Sequence, residues 1–300
     1  MRTNYKPTDV CSIIVTYNTN VNKFRKVLKY QKNNFNMVII VNNSPQISFD
    51  SFKSSHVTII NNPSNIGLAS AINVGILAAK KKGVKMVGLF DQDTILPDNF
   101  LQNMIENINN YQSDKLTALF SPIFFNNVTH EYGSIINFKP LRLIRSKPNQ
   151  YMSVKHPKYV ITSGSFISIS VLDDVGLMRE ELFIDFVDIE WCLRARAKKY
   201  EIVVFPSITI SHFLGDYAVT FLRSSFPVHS PLRMYYYFRN AIYLYRLDGI
   251  EWNWRLVDGS RNLFRFLFYM LFVNSRCTYF KFIIKGYYHG IIKKMGKFKE

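Results

Sequence analysis

Cysteine is scarce in this 300-residue chain: Cys11, Cys192 and Cys277 are odd in number and widely spaced. That argues against a disulfide framework or a zinc site and fits a reducing compartment. Acidic residues are also in short supply, 21 Asp and Glu against 38 Lys and Arg, leaving a net charge of +17. The deficit is deepest late, where residues 223–300 hold 14 basic and 4 acidic side chains. Such a surface seeks anions, whether nucleic acid, a membrane or an oligomer partner. Long apolar runs are missing too. Met1 to Asp9 is polar, without the apolar segment of a signal peptide, and Phe266 to Val273 is too short to span a bilayer. The expectation is a cytosolic protein resting on a membrane. Finally, there is no Walker lysine signature and no glycine fingerprint after the first strand, so P-loop and dinucleotide readings are weak.

What is present is a rhythm. Val10 to Thr16, Met37 to Val41, Val57 to Ile60 and Met86 to Phe90 read as strands rich in Val and Ile. Helices fall between them, one from Val21 to Tyr30 and one opening after Asn65 and stopping at Lys80-Lys81-Lys82-Gly83. Alternation of this kind predicts an α/β fold with a doubly wound, mostly parallel sheet. Ligands of such sheets collect at the carboxyl ends of the strands. Thr16-Tyr17-Asn18, Asn42-Asn43, Asn65 with Gly67, and Asp91-Gln92-Asp93 all fall there. Asp91 and Asp93 would point to opposite faces of an extended strand, so a turn starting at Asp91 is needed for both to meet one ligand. Two hard oxygen donors on such a turn suit a divalent cation that carries phosphates. They would serve equally as solvated turn residues ahead of a helix near Pro97.

After about Tyr111 the rhythm changes. Leu116 to Phe120 reads as a strand, and Tyr159 to Ser170 as another with a kink at Ser163-Gly164. The kink would build an acceptor pocket or mark a bulged edge strand. Asp185, Asp188 and Glu190 precede or open a helix over Ile189 to Lys198, with Trp191 and Arg194 inside it. Asp188 could be an N-cap worth on the order of 1 kcal/mol, with Glu190 and Arg194 an ordinary i,i+4 pair. It could instead take a proton from an attacking hydroxyl. His212 stands alone; its imidazole is a structural residue or a third metal ligand. Ser230 to Arg246 reads as an aromatic helix whose Arg233, Tyr235, Tyr236, Arg239 and Asn240 pack on the preceding domain or touch a ligand. Arg261, Arg265 and Tyr269, and then Lys281, Lys285, His289 and Lys293, recur every four residues among Phe, Leu and Ile. That composition suits a helix in the interface of an anionic bilayer, or a helix pair covering the core or forming a dimer seam.

Taken together, several pieces resemble the family 2 glycosyltransferases of the GT-A fold, in their bacterial rhamnosyltransferase-like branch. They are Val15-Thr16-Tyr17-Asn18, Asn65-x-Gly67 with Asn73-x-Gly75, Phe90-Asp91-Gln92-Asp93-Thr94, Thr162-Ser163-Gly164, Asp185-x-x-Asp188-x-Glu190-Trp191-x-x-Arg194, His212-x-x-Gly215 and Ser230-Pro231-x-Arg233 through Asn240. The resemblance covers Val10 to Arg246. It implies a Rossmann-like catalytic domain over residues 1–228 and a helical extension over 229–300. It also implies that Asp91 and Asp93, with His212, hold Mg2+ or Mn2+, and that Asp188 is the catalytic base. Thr16, Tyr17, Asn18, Asn42, Asn65, Gly67, Asp91 and Gln92 would bind the nucleotide-sugar. Ser163, Gly164, Asp185, Glu190, Trp191 and Arg233 would line the pocket. Relatives usually carry Asp-Asn where this chain has Asn42-Asn43, which weakens the expected nucleobase contact. The implied reaction inverts the anomeric centre. It moves L-rhamnose from dTDP-rhamnose, or another sugar such as galactofuranose from UDP, onto a lipid-linked oligosaccharide at the inner face of the bacterial plasma membrane. An inactive scaffold is disfavoured by the retained Asp91, Asp93, Asp188 and His212. A nucleic-acid-binding protein is the rival from another class; the positive charge lies outside the carboxylate-rich half, which speaks against it.

Overall fold

Side chains that alternate between two apolar faces build the centre of this molecule. The computed structural model describes residues 4–126, 130–139, 141–148, 153–212, 218–221 and 224–299. Strand β1 (Val10–Thr16) is followed by helix α1 (Val21–Asn34), β2 (Val38–Asn42), β3 (Val57–Asn61), α2 (Leu68–Lys81) and β4 (Met86–Asp91). These strands lie parallel in the order β3-β2-β1-β4. Ile13, Ile39, Val87 and Leu89 face one side with Ile72 and Ile76 of α2. Ile14, Ile40, Met86 and Phe90 face the other with Phe24 and Leu28 of α1. A strand buried on both faces needs apolar residues at every position, which is why these segments read so plainly in the sequence.

The second half completes the sheet with mixed directions. In chain order come β5 (Thr94–Ile95), α3 (Phe100–Asn110), β6 (Thr117–Asn126), β7 (Glu131–Tyr132), β8 (Ile135–Lys139), β9 (Arg142–Ser146), β10 (Ser165–Ser168), α4 (Ile169–Val175), α5 (Val187–Ala197) and β11 (Glu201–His212). β10 inserts antiparallel between β4 and β6, and β11 lies parallel to β6. The strand expected over Tyr159 to Ser170 is thus only four residues long. Gly164 turns at φ +83°, and the Ser168 side chain accepts a bond from the Val171 N–H, starting α4 instead.

A hairpin of β12 (Ala218–Phe221) and β13 (Ser224–Pro227) leads into α6 (Pro231–Leu244), α7 (Trp252–Phe272) and α8 (Arg276–Ile291). The expected charged stripe does not face outward on α7. The Arg265 guanidinium lies 4.1 Å from the Tyr237 ring centroid, and Arg261 sits 3.9 Å from the buried Asp258. The outward face carries Leu256, Leu263, Phe264, Leu267 and Leu271, each at least 47% exposed. On α8 His289 is buried and bonded to the Tyr235 hydroxyl, while Lys281 and Lys285 remain exposed. Among the described residues no helix is long and apolar enough to cross a membrane.

Candidate active site

The carboxyl ends of β1, β2 and β4 form a polar rim, and most of its amides are spent on the protein itself. Asn42 donates to Ile47 O (2.7 Å) and Asn61 Oδ1 (3.0 Å), and its own oxygen accepts the Ser44 N–H. These bonds give Asn42 a loop-stapling role. Asn43 donates to Gly67 O and accepts from Asn62. Asn18 turns at φ +47° and is held by Ser44 and Gln46. Gln92 receives the Tyr17 N–H (2.8 Å) and returns a bond to Tyr17 O, tying the β4 turn to the β1 loop. Asn65 closes an Asx turn on the Gly67 N–H.

Two features of this rim remain open to a ligand. Tyr17 is 49% exposed, and the buried Thr16 hydroxyl has no partner. A buried hydroxyl left unpaired costs about 1–3 kcal/mol, so a rim that keeps one calls for an explanation. Gly67 adopts φ +89°, and a Cβ there would lie 2.6 Å from Phe183 Cδ2 and 2.8 Å from Phe183 O. Its lack of a side chain lets the Phe183 carbonyl approach and cap the first turn of α2, accepting the Leu68 N–H at 2.6 Å.

Phe183 begins the opposite wall. Phe183, Asp185 and Phe186 all adopt left-handed backbone, at φ +66°, +61° and +64°. Such conformations cost about 1–3 kcal/mol each and persist only where surroundings enforce them. The outcome is a wall of acids. Asp91, Asp185 and Asp188 line one cavity of about 390 Å³ with Arg233, Thr162, Tyr237 and apolar residues including Phe124 and Ile161. Arg233 pairs with Asp185 at 3.2–3.3 Å. Asp188 is at the second position of α5 rather than at its N-cap, and it accepts the Ile189 N–H at 2.8 Å. Burial pushes its carboxyl up to about 6, assisted by the negative charges of Asp185 and Asp91 against the lowering effect of backbone N–H groups.

Four predicted pocket residues stand behind the wall. Glu190 is buried and paired with both Arg179 and Arg194, and Trp191 is a core residue bonded to Gly176 O. Ser163 accepts the Asp91 N–H and meets the Thr94 hydroxyl at 2.7 Å. Gly164 packs beside Pro122 and Ile210. Periodicity could not separate Glu190 and Trp191 from true lining residues, because α5 turns one face to the cavity and another to the core; Ser163 and Gly164 sit in the turn ahead of β10. Thr162 belongs to the Thr162-Ser163-Gly164 motif but was not named as a lining residue, and no local signal marks Tyr237 or Phe124.

Asp91 ends β4 and β5 begins at Thr94, so Gln92 and Asp93 form a two-residue turn that Asp91 opens. His212 pairs with Thr94 across the antiparallel β5–β11 register, which sets its backbone beside that turn; its side chain lies outside the described atoms. Among the described residues no three His, Cys, Asp or Glu side chains form a ready cage for a metal. Two carboxylates fit a cation that completes its shell from phosphate oxygens rather than from protein.

Comparison with known proteins bears on family and fold. Residues 11–176 match the profile described as Glycosyl transferase family 2. Over 248 residues the chain is 31% identical to the dTDP-rhamnosyl transferase RfbF of Shigella flexneri, covering 81% of each chain. Among solved structures, residues 1–349 of S. aureus TarS superpose with a TM-score of 0.58 at 14% identity, over 95% of this chain and 81% of that one. GalNAc-T7, crystallised with UDP, GalNAc and Mn2+, superposes at 0.55 and 14% identity, over 84% of this chain. This chain spans about half of GalNAc-T7, 54%. Likenesses at such identities speak for the fold.

Proposed function

This chain belongs to glycosyl transferase family 2, and we propose that it moves L-rhamnose from dTDP-rhamnose onto a lipid-linked oligosaccharide during assembly of a bacterial surface polysaccharide such as O-antigen or capsule. It is a glycosyltransferase with the GT-A fold. The observation that carries the reading is the single cavity that Asp91, Asp188 and the Asp185–Arg233 pair share. The named activity of the 31%-identical Shigella relative supports the choice of donor.

In this reading the rim of β1 and β4 receives the nucleotide, with Tyr17 and Thr16 as its open contacts. Asp91 and Asp93, with His212, hold Mg2+ or Mn2+, which when bound would neutralise charge on the leaving diphosphate. Asp188 faces the acceptor and removes the proton from its attacking hydroxyl. A carboxyl titrating near 6 is ionised at neutral pH yet more basic than an exposed one, which suits that role. Attack comes from the side opposite the diphosphate, so one displacement inverts the anomeric carbon and no covalent enzyme intermediate is needed. The Asp185–Arg233 pair steadies the wall around the base.

A thermal-shift screen with Mn2+ against dTDP, UDP, GDP and CMP, repeated on Asp93→Ala, tests this. Stabilisation by dTDP that needs the metal and is lost in the variant is expected. A shift with UDP alone would replace the donor by a UDP-sugar, and no shift with any nucleotide would overturn the reading.

The outward apolar face of α7 and α8 is assigned to an anionic membrane surface, where a lipid-linked acceptor would reside. Phe280, Ile284 and Tyr288 stand on it beside exposed Arg276, Lys281 and Lys285, a pairing of apolar area with cations that suits an acidic bilayer. Flotation with vesicles containing phosphatidylglycerol is the expected result. A dimer in solution with no flotation would give the face to a second copy of the chain.

A further inference from the structure

The strained wall between Leu182 and Val187 must be held by something, and its carbonyls show what holds it. Phe183 O is taken by the N-terminus of α2, as described above. Phe186 O accepts the Glu190 N–H within α5, and the carbonyls of Leu182, Ile184 and Asp185 are met from α6. Asn240 Nδ2 lies 2.9 Å from Leu182 O, 2.7 Å from Ile184 O and 3.0 Å from Asp185 O, sharing its two hydrogens among the three. Arg239 donates to Leu182 O (2.9 Å) and Glu181 O (3.3 Å). Arg239 also fixes the amide itself: its Nε and Nη2 donate to Asn240 Oδ1 at 3.0 and 2.9 Å, so the NH2 group must face the loop.

Both side chains are fully buried, and both are held from behind. The Arg239 guanidinium lies 4.9 Å from the Tyr236 ring centroid. Helix α8 meets α6 at bare backbone: a Cβ on Gly286 would come within 2.6 Å of Tyr235 O, and one on Gly290 within 2.6 Å of Arg239 O. The chain beyond α8 reaches the same place, where the Gly296 N–H donates to Glu181 O and Gly296 O accepts from Arg239. Neither Arg239 nor Asn240 lines the cavity.

We propose that Asn240, oriented by Arg239, is a positioning residue for sugar transfer: it locks the Phe183–Phe186 loop in its left-handed form and so sets Asp185 and the Asp188 end of α5 against the donor. The inference rests on the reading of Asp188 as base. It makes the C-terminal helices part of the catalytic wall, because α8 aligns α6 and α6 holds the loop.

The test uses Asn240→Asp, which keeps the shape and the contact to Arg239 but faces the loop carbonyls with an acceptor instead of donors. Turnover is followed as nucleoside diphosphate released from the sugar nucleotide whose nucleotide binds in the screen above, with water as acceptor. The variant is expected to lose about 100-fold in kcat, the scale set by an ångström-level misplacement, while its donor KM stays within about threefold. A double-mutant cycle supplies a readout that general destabilisation would not move: in an Asp185→Asn background the further loss should shrink to about threefold or less, because both changes act on one loop. Tyr245→Phe removes the bond to Asp258 within the C-terminal helices without touching Arg239 or the loop, and should keep kcat per folded molecule within about twofold. Wild-type kcat in Asn240→Asp, or losses that multiply independently, would overturn the proposal. If Asn240→Asp does not fold, Asn240→Ser retains one donor and should lose about tenfold; no loss there is equally fatal. Asp188→Asn run alongside separates the failures. Loss there with wild-type turnover in the Asn240 variant sinks only this inference, whereas wild-type turnover in Asp188→Asn sinks the base assignment beneath it.

Discussion

Two polar regions face each other across the site, and they are built on opposite principles. On the β1–β4 rim, Asn18, Asn42, Asn43, Asn62 and Gln92 satisfy one another and the local backbone. On the other wall, left-handed Phe183, Asp185 and Phe186 bring Asp185 and a poorly solvated Asp188 to the cavity. The rim is polar in order to be rigid, and the wall is strained in order to be reactive. Position at the carboxyl end of a strand therefore marks where a ligand can bind but not which side chain meets it. Unspent hydrogen-bonding capacity and backbone strain are better guides.

Substitutions can pull that contrast apart. The largest effect is expected where the two regions touch. Gly67→Val puts a β-branched residue at φ +89° against Phe183, and should destabilise by roughly 3–5 kcal/mol in a urea melt. Asn42→Ala should cost about 1–3 kcal/mol by orphaning Ser44 N–H and Ile47 O, with a smaller change in nucleotide affinity measured by titration calorimetry on the folded fraction. The reverse ranking would return Asn42 to the nucleobase. Thr16→Val should do the opposite. Its hydroxyl has no partner to lose, so stability should stay within about 0.5 kcal/mol or rise, while dTDP affinity falls about fivefold if that hydroxyl meets the nucleotide. Leu267→Glu, on the exposed face of α7, should leave stability within about 0.5 kcal/mol and weaken vesicle flotation alone.

Much of the fold was legible because a parallel sheet declares itself. Its strands are apolar on both faces, and their ends at Asn42, Asn61 and Asp91 coincide with polar clusters. Ser168 was a readable N-cap, and reading through it is what lengthened the strand expected over Tyr159 to Ser170. The orientation of α7 was not legible, because periodicity identifies a stripe without saying which side is buried. Arg261 and Arg265 look like a water-facing stripe until Asp258 and Tyr237 are seen to receive them. At the site, Asp91 and Asp188 stood out by residue type and by their place at a strand end and a helix start, while Asp185, Arg233, Glu190 and Trp191 entered as pocket residues through the family resemblance. Left-handed phenylalanines leave no trace in sequence, since their conformation is imposed by Asn240, more than fifty residues away.

The most direct test of the whole account is the pH dependence of donor turnover in wild type and in Asp188→Asn, with thermal melts on the same samples. Asp188 titrates near 6 in the folded protein, above the ordinary carboxyl range. Turnover of the wild type should therefore rise through about pH 6 to a plateau. Over the window from about 4 to 6 the folded state holds a proton that the unfolded chain releases, so this group's contribution to stability should decline as pH rises. Asp188→Asn should abolish both effects, melting no lower than wild type at pH 7.5 while losing about 10²–10⁴-fold in kcat. An Asp188→Asn enzyme that turns over within tenfold of wild type would contradict the account at its centre.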